Sequence, residues 1–210
     1  MDSKKEAKKV KFAVAALAVI VVIVIAYAAY VNIFAQQKSQ YPQTYIPKPY
    51  EGNTTAKVVL TEYSDFQCPA CGYAEPIVRA LRSEYKDSVA FRYVHFPLTN
   101  IHPNALPAAE ASECANDQGK FWEYHDKLFE NQKSLGKETY IRIAEELALN
   151  LTSFKTCIDT EAKKDVVMQD AQEAINRNIG GTPTFFVNDR PVDNYAYENI
   201  KKMIEEELKK

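Results

Sequence analysis

The chain has 210 residues, 46% of them hydrophobic, and a net charge of −2. That length allows one good domain plus accessory segments. The near-neutral balance supplies no overall basic field, so nucleic acid is not an expected partner.

Charge is nevertheless uneven. Residues 1–11 hold five lysines against Asp2 and Glu6, and an uninterrupted apolar run follows from Phe12 to Val31. A run of about 20 such residues crosses a bilayer as a helix. It has no polar face at any helical phase, which argues against a core helix. A cleaved signal peptide has a shorter apolar region, roughly 7–15 residues, before a small-x-small site. Here Ala26-Tyr27-Ala28 lies inside the run and Ile33-Phe34-Ala35 matches such a site poorly. Residues 12–34 are therefore expected to be an uncleaved, single-pass anchor in the cell membrane, with Tyr27 and Tyr30 near the far interface. The lysines place residues 1–11 in the cytoplasm and everything after Phe34 outside it, where disulfides persist. Residues 35–55, with Pro42, Pro47 and Pro49 and no periodicity, read as an extended linker.

Ala56 to Tyr63 reads as a buried strand that feeds the segment Ser64-Asp65-Phe66-Gln67-Cys68-Pro69-Ala70-Cys71-Gly72. A helix is predicted from Pro69 to about Tyr85, with Ile77, Ala80, Leu81 and Tyr85 inward and Pro76 inside it. Val89 to Phe96 is a second strand, and a strand–helix–strand unit of this length implies parallel pairing with a right-handed crossover. From His102 to Asn178 the pattern is helical. One stripe holds Phe121, His125, Leu128 and Phe129; another holds Tyr140, Ile143, Ala144, Leu147 and Ala148. Thr152 or Ser153 is placed to cap a short helix carrying Phe154 and Cys157, and Val167, Ala171, Ala174 and Ile175 form a last stripe. A strand at Thr184–Val187, a turn, a short strand around Pro191-Val192 and a helix carrying Tyr197, Ile200, Ile204 and Leu208 complete the chain.

Cys68 and Cys71 form the chemical centre of this pattern. Cys68 falls at a helix N-terminus with Pro69 at the first helical position, where its missing N–H costs nothing. Unpaired backbone N–H groups and the helix dipole there favour a thiolate. Cys71, one turn on, is placed to close a small disulfide with it. Half of a zinc site is an alternative, but Cys114 and Cys157 are far apart and His95, His102 and His125 show no ligand spacing with them. A structural staple is the other alternative, and a ring this small closes almost no loop. No metal or bound cofactor is expected. For Cys114 and Cys157, an even count outside the cytoplasm favours a structural disulfide over free thiols or a second redox pair.

The order of elements, together with Tyr-Ser-Asp-Phe-Gln-Cys-Pro-Ala-Cys (63–71), the His-Pro…Ala-Ala-Glu segment, Gln-Gly-Lys-Phe-Trp-Glu-Tyr-His-Asp-Lys-Leu-Phe (118–129) and Gly-Gly-Thr-Pro-Thr-Phe-Phe-Val-Asn (180–188), resembles the DsbA-like thiol-disulfide oxidoreductases. The resemblance covers about residues 50–210. It implies an α/β thioredoxin fold, a mixed sheet flanked by helices, formed by residues 56–100 and 179–210, with an inserted α-helical domain at 101–178. It implies Cys68 as nucleophile, Cys71 as resolving thiol, and a cis peptide at Thr182-Pro183 that turns the Thr182 backbone toward substrate strands. It also implies that Glu62, six residues before Cys68, is a buried acid able to take the Cys71 proton; a surface strand-end glutamate is the plain alternative. Asp65 is read as ordering the loop. Pro69-Ala70 supplies no side-chain donor between the cysteines, so Cys68 is expected below a free thiol's pKa without reaching the most oxidising relatives.

The leading expectation is a membrane-anchored monomer that donates its Cys68–Cys71 disulfide to exported cysteine-containing proteins and is reoxidised by a quinone-linked membrane partner. A reductase or isomerase kept reduced by a membrane electron donor is the first alternative. A non-enzymatic tethered binding or chaperone module is the second.

Overall fold

The computed structural model describes residues 21–29 and 49–210. Most of the expected anchor, with the expected cytoplasmic residues 1–11 and the linker up to residue 48, lies outside these. Residues 21–29 are helical (α1), and Val21, Val22, Ile23, Val24, Ile25 and Tyr27 on it are exposed. Among the described residues no helix is long and apolar enough to cross a membrane.

From Tyr50 onward the chain builds one five-stranded sheet in the order β1-β3-β2-β4-β5. The central strands β2 (Val58–Ser64) and β3 (Val89–His95) run parallel, joined by α2 (Pro69–Tyr85). Strand β4 (Thr184–Val187) pairs antiparallel with β2, and β5 (Arg190–Pro191) with β4. The sheet is mixed, as a thioredoxin fold requires. One correction falls on the linker. Its last residues are not spacer, because Tyr50–Gly52 forms β1 and pairs antiparallel with β3. Gly52 ends that strand at φ +79°, and a Cβ there would stand 2.4 Å from the Val89 carbonyl oxygen, so only glycine allows the approach.

Both faces of the central strands are covered, which explains their near-continuous apolar sequence. On one face Val58, Leu60, Phe91, Phe185 and Val187 pack with Val78 and Leu81 of α2 and with Ile200 and Ile204 of α8 (Tyr197–Leu208). On the other, Tyr63 and Val94 pack with Ala174 of α7 (Lys164–Asn176). Between β3 and β4 run α3 (Ala105–Asn116), α4 (Phe121–Glu130), α5 (Lys137–Glu146), α6 (Leu151–Asp159) and α7. Alanines 108, 109, 111 and 115 are buried on α3. Their small side chains let α4, α6 and α7 approach closely around Tyr124, Leu128, Ile143, Phe154 and Val167.

The helical stripes differ from expectation at their ends. Ala80 is exposed, and Ala74 and Val78 take the inward positions on α2. Ala148 lies beyond α5 at φ +54° and is exposed, while Leu149 turns back inward and donates its N–H to the Ala144 carbonyl. Ile175 is exposed at the end of α7. The cap of α6 is Asn150, whose Oδ1 accepts the Ser153 N–H at 3.0 Å, and not Thr152 or Ser153, which lie inside the helix.

Candidate active site

The strand face beneath α2 changes character along its length. Val58 and Leu60 are apolar, but Glu62 and Ser64, next on the same face by the two-residue period, are polar and buried. Tyr93 is the register partner of Glu62 and His95 that of Ser64, so four polar groups line the end of the sheet under the cysteines. Phe66, Tyr93, Phe121, His125 and Phe129 stack around them in ring contacts of 4.8–6.0 Å.

Cys68 occupies the N-cap of α2 with extended backbone (φ −69°, ψ 120°), and Pro69 follows at the first helical position. The approach loop is tied down by Asp65. Its Oδ1 accepts the Gln67 N–H at 2.7 Å, and its Oδ2 accepts the Leu98 N–H at 3.0 Å and bonds His102 Nδ1 at 2.7 Å. Its carbonyl accepts the Cys68 N–H at 3.1 Å. This matches the ordering role expected of Asp65. Gln67 Oε1 accepts the Asn104 N–H at 2.6 Å, and Gln132 Nε2 donates to the carbonyls of Phe66 and Cys68, both at 2.9 Å. Nothing in the local pattern singles out Gln132, because its partners lie more than 60 residues away.

The two thiols are in different states. Cys68 keeps 6% exposure and Cys71 none. The Cys71 thiol, hydrogen-bonded to Cys68, is the main reason that the Cys68 pKa falls to about 5. Burial opposes this, while the Thr182 hydroxyl and the N–H groups of Cys71 and Ala70 add to it. Cys71 is driven strongly the other way, first by burial, then by the thiolate beside it and by the charge of Glu62. Glu62 is itself pushed up to about 7 by burial, against the Ser64 hydroxyl and the charge of Arg82. It is therefore a buried acid near Cys71 and not a surface strand-end residue.

Thr182 and Pro183 reach the same place from the far end of the chain. The Thr182-Pro183 peptide is cis, and the Thr182 carbonyl lies 3.5 Å from Cys68 Sγ. His95 and His102 are bound in packing contacts: His95 Nε2 lies 3.1 Å from Glu113 Oε1, and its backbone N–H donates to Asp170. His125 is buried, hydrogen-bonded to Asp126 at 2.8 Å, and burial lowers its pKa to about 4. Cys114 and Cys157 are bonded to each other with Cα atoms 6.0 Å apart, so they supply no ligands to Cys68 and Cys71. Among the described residues no group of three His, Cys, Asp or Glu side chains is placed to hold a metal ion.

Residues 44–206 match the family model described as thioredoxin. Among solved structures, BdbD from Bacillus subtilis superposes with a TM-score of 0.70 at 29% identity, covering 78% of this chain and 94% of that one. α-DsbA1 from Wolbachia pipientis gives a TM-score of 0.67 at 21% identity over 80% of this chain and 94% of its own. Curated relatives include a Na(+)/H(+) antiporter NhaA 3 from Salinispora tropica, 45% identical over 139 residues, and a Na(+)/H(+) antiporter NhaA 1 from Mycobacterium sp. (strain KMS), 38% identical over 139. The matching segment is 66% and 65% of this chain but only 21% and 23% of those proteins, so the chain spans about a fifth of their length. A cysteine at a helix start, a buried partner one turn on and a cis-proline loop beside them thus lie within the matched thioredoxin frame, and the chain belongs to the thioredoxin family.

Proposed function

We propose that this chain is a DsbA-like thiol-disulfide oxidoreductase working as an extracytoplasmic disulfide donor: it oxidises exported cysteine-containing proteins and is held at the membrane by residues 12–34. The observation that carries this reading is the asymmetry of the two thiols: Cys68 lies at the helix N-cap with 6% exposure beside the Thr182 carbonyl and its pKa falls, whereas Cys71 is fully buried and driven up. A substrate thiolate attacks Cys68 Sγ of the Cys68–Cys71 disulfide, the S–S bond breaks, and Cys71 leaves with the electron pair and takes up a proton. A second substrate thiolate then attacks the substrate sulfur of the mixed disulfide and expels Cys68 as a thiolate. Two electrons and the substrate's disulfide have been exchanged. A low pKa makes Cys68 the better leaving group, and its stabilised thiolate favours the reduced enzyme. Both effects drive oxidation of the substrate.

Glu62 supports the return half of the cycle. A carboxyl poised near 7 and close to Cys71 is suited to take its proton when the disulfide reforms. The Thr182 backbone beside Cys68 is placed to pair with an extended substrate segment. Regeneration needs an electron acceptor, and a quinone-linked membrane protein is the class proposed. The exposed apolar side chains of α1 favour a membrane setting, as does the occurrence of the matching segment in proteins named as antiporters. The monomer is proposed as the working unit.

The test is the steady-state redox state of Cys68 and Cys71 in cells, read by alkylation after acid quenching, together with trapping by Cys71→Ser. A mostly oxidised pair and mixed disulfides with exported proteins are expected. A pair held reduced would overturn the donor reading in favour of a reductase or isomerase.

A further inference from the structure

One side chain of the helical block reaches the backbone of the reactive loop on both sides of Gln67. Gln132 opens a short 3-10 turn, Gln132–Ser134, directly after α4. Each hydrogen of its amide has an acceptor, the Phe66 carbonyl at 2.9 Å and the Cys68 carbonyl at 2.9 Å. The Cys68 carbonyl also accepts the Gly72 N–H at 3.1 Å, the first hydrogen bond of α2. Gly72 is shaped to this partner: a Cβ there would stand 2.4 Å from Gln132 Oε1 and 3.0 Å from its Nε2. The carboxamide therefore lies flat against the first turn of α2 because residue 72 has no side chain.

We propose that Gln132 is a positioning residue that clamps the backbone on both sides of Gln67 and so holds Cys68 Sγ over the first amides of α2. Cys68 sits at the N-cap with no side-chain cap bond of its own, and Pro69 donates no N–H; local bonds to the Cys68 backbone come from the Asp65 carbonyl and the Gly72 N–H, and Gln132 adds a tie from outside the loop. Asp65 fixes the approach and Gln132 fixes the carbonyl side. An acceptor–donor–acceptor bridge is directional, so a side chain of equal size without the amide cannot replace it. The inference rests on Cys68 being the exchanging nucleophile, which Cys68→Ala tests separately by loss of exchange.

The experiment is a pH titration of thiolate absorbance near 240 nm in the reduced full chain in detergent, with the glutathione equilibrium measured on the same samples. Gln132→Met, close in size but without donors, is expected to raise the Cys68 midpoint by about one pH unit, a tenfold lower thiolate-to-thiol ratio. The couple should become correspondingly less oxidising. Gln132→Glu should shift it further above the pH at which the new carboxylate ionises. Gly72→Ala displaces the carboxamide and should shift the midpoint in the Gln132 protein but not in Gln132→Ala, the coupling expected of two contacting residues. If the Gln132 variants do not fold, Gly72→Ala alone decides by the same shift. An unmoved titration in folded Gln132→Met, or an equal Gly72→Ala shift in both backgrounds, would overturn the proposal.

Discussion

Cys68 and Cys71 sit at the start of one helix, whereas Cys114 and Cys157 lie 43 residues apart and join α3 to α6. The first pair is surrounded by groups that treat its sulfurs unequally: the Cys71 thiol, the Thr182 hydroxyl and two amides favour a Cys68 thiolate, while burial and the charge of Glu62 oppose one on Cys71. The second pair is packed against core: Cys114 is 1% exposed among Ala111, Ala115, Phe154 and Val167, and Cys157 is partly buried at the edge of the same cluster. The same bond is therefore built to open in one place and to stay closed in the other. Loop length points the same way. Closing a loop of 43 residues stabilises a fold by about 4 kcal/mol on the chain-entropy model, whereas a four-residue ring gives about 2 kcal/mol.

Removing sulfur from each pair should give opposite outcomes. Cys68→Ala is expected to reduce exchange to the uncatalysed rate, with thermal stability close to that of the reduced wild type. Oxidative refolding of a reduced substrate and a melting curve check both halves. The paired substitution Cys114→Ala with Cys157→Ala should cost about 4 kcal/mol of stability and leave turnover at low temperature unchanged. Turnover lost in proportion to that pair while the fold is intact would mean that the second disulfide also carries electrons, and the contrast would collapse.

Glu62 sharpens the comparison, because it gives the reactive pair a cost that the structural pair lacks. Its folded pKa of about 7 lies above its ordinary 4.5. Below pH 4.5 both folded and unfolded chains hold the proton and there is no penalty. As pH rises from 4.5 through 7, the unfolded chain ionises first and stability is lost. Glu62→Gln should therefore raise the melting temperature of the reduced protein above pH 7, and the difference should vanish below pH 4.5. The same substitution should slow exchange by about 100-fold, the ordinary scale for a lost proton acceptor. A pH-independent stability difference would place Glu62 outside the proton path.

The sequence was most informative where chemistry and spacing coincide. Cys68 before Pro69 imposes a local constraint that only a few structures satisfy, whereas the buried Glu62 and the cis Thr182-Pro183 peptide were legible only through the resemblance to the DsbA-like family. It was least informative for residues whose role depends on distant partners. Alanine packs equally well inward or outward, so Ala80 and Ala148 carried no directional signal and were set by their neighbours. Tyr50–Gly52 is too short for periodicity to distinguish from linker, and it becomes a strand because β3 offers a free edge. Gln132 has no local feature at all. Its function comes from two carbonyls and a missing Cβ on another part of the chain.

The smallest expected effect tests how far the second disulfide acts as a staple. Asn150 caps α6, the helix that carries Cys157, through Ser153, so Asn150→Ala removes one bond from its first turn. Loss of such a cap typically costs about 1 kcal/mol. Cys157 lies two turns further along and is held by Cys114, so in the wild type fraying is confined to the turns ahead of it. Without the disulfide nothing covalent stops the fraying, and the helix is held by burial of Phe154 with the partly buried Leu151 and Ile158 beside it. The Asn150→Ala cost measured by chemical denaturation should therefore be larger in the Cys114→Ala/Cys157→Ala background, and the Cys68 thiolate titration should not move in either. Equal costs in both backgrounds would show that apolar packing around Phe154 is enough to fix α6, and that the disulfide acts on the unfolded chain rather than on the helix it joins.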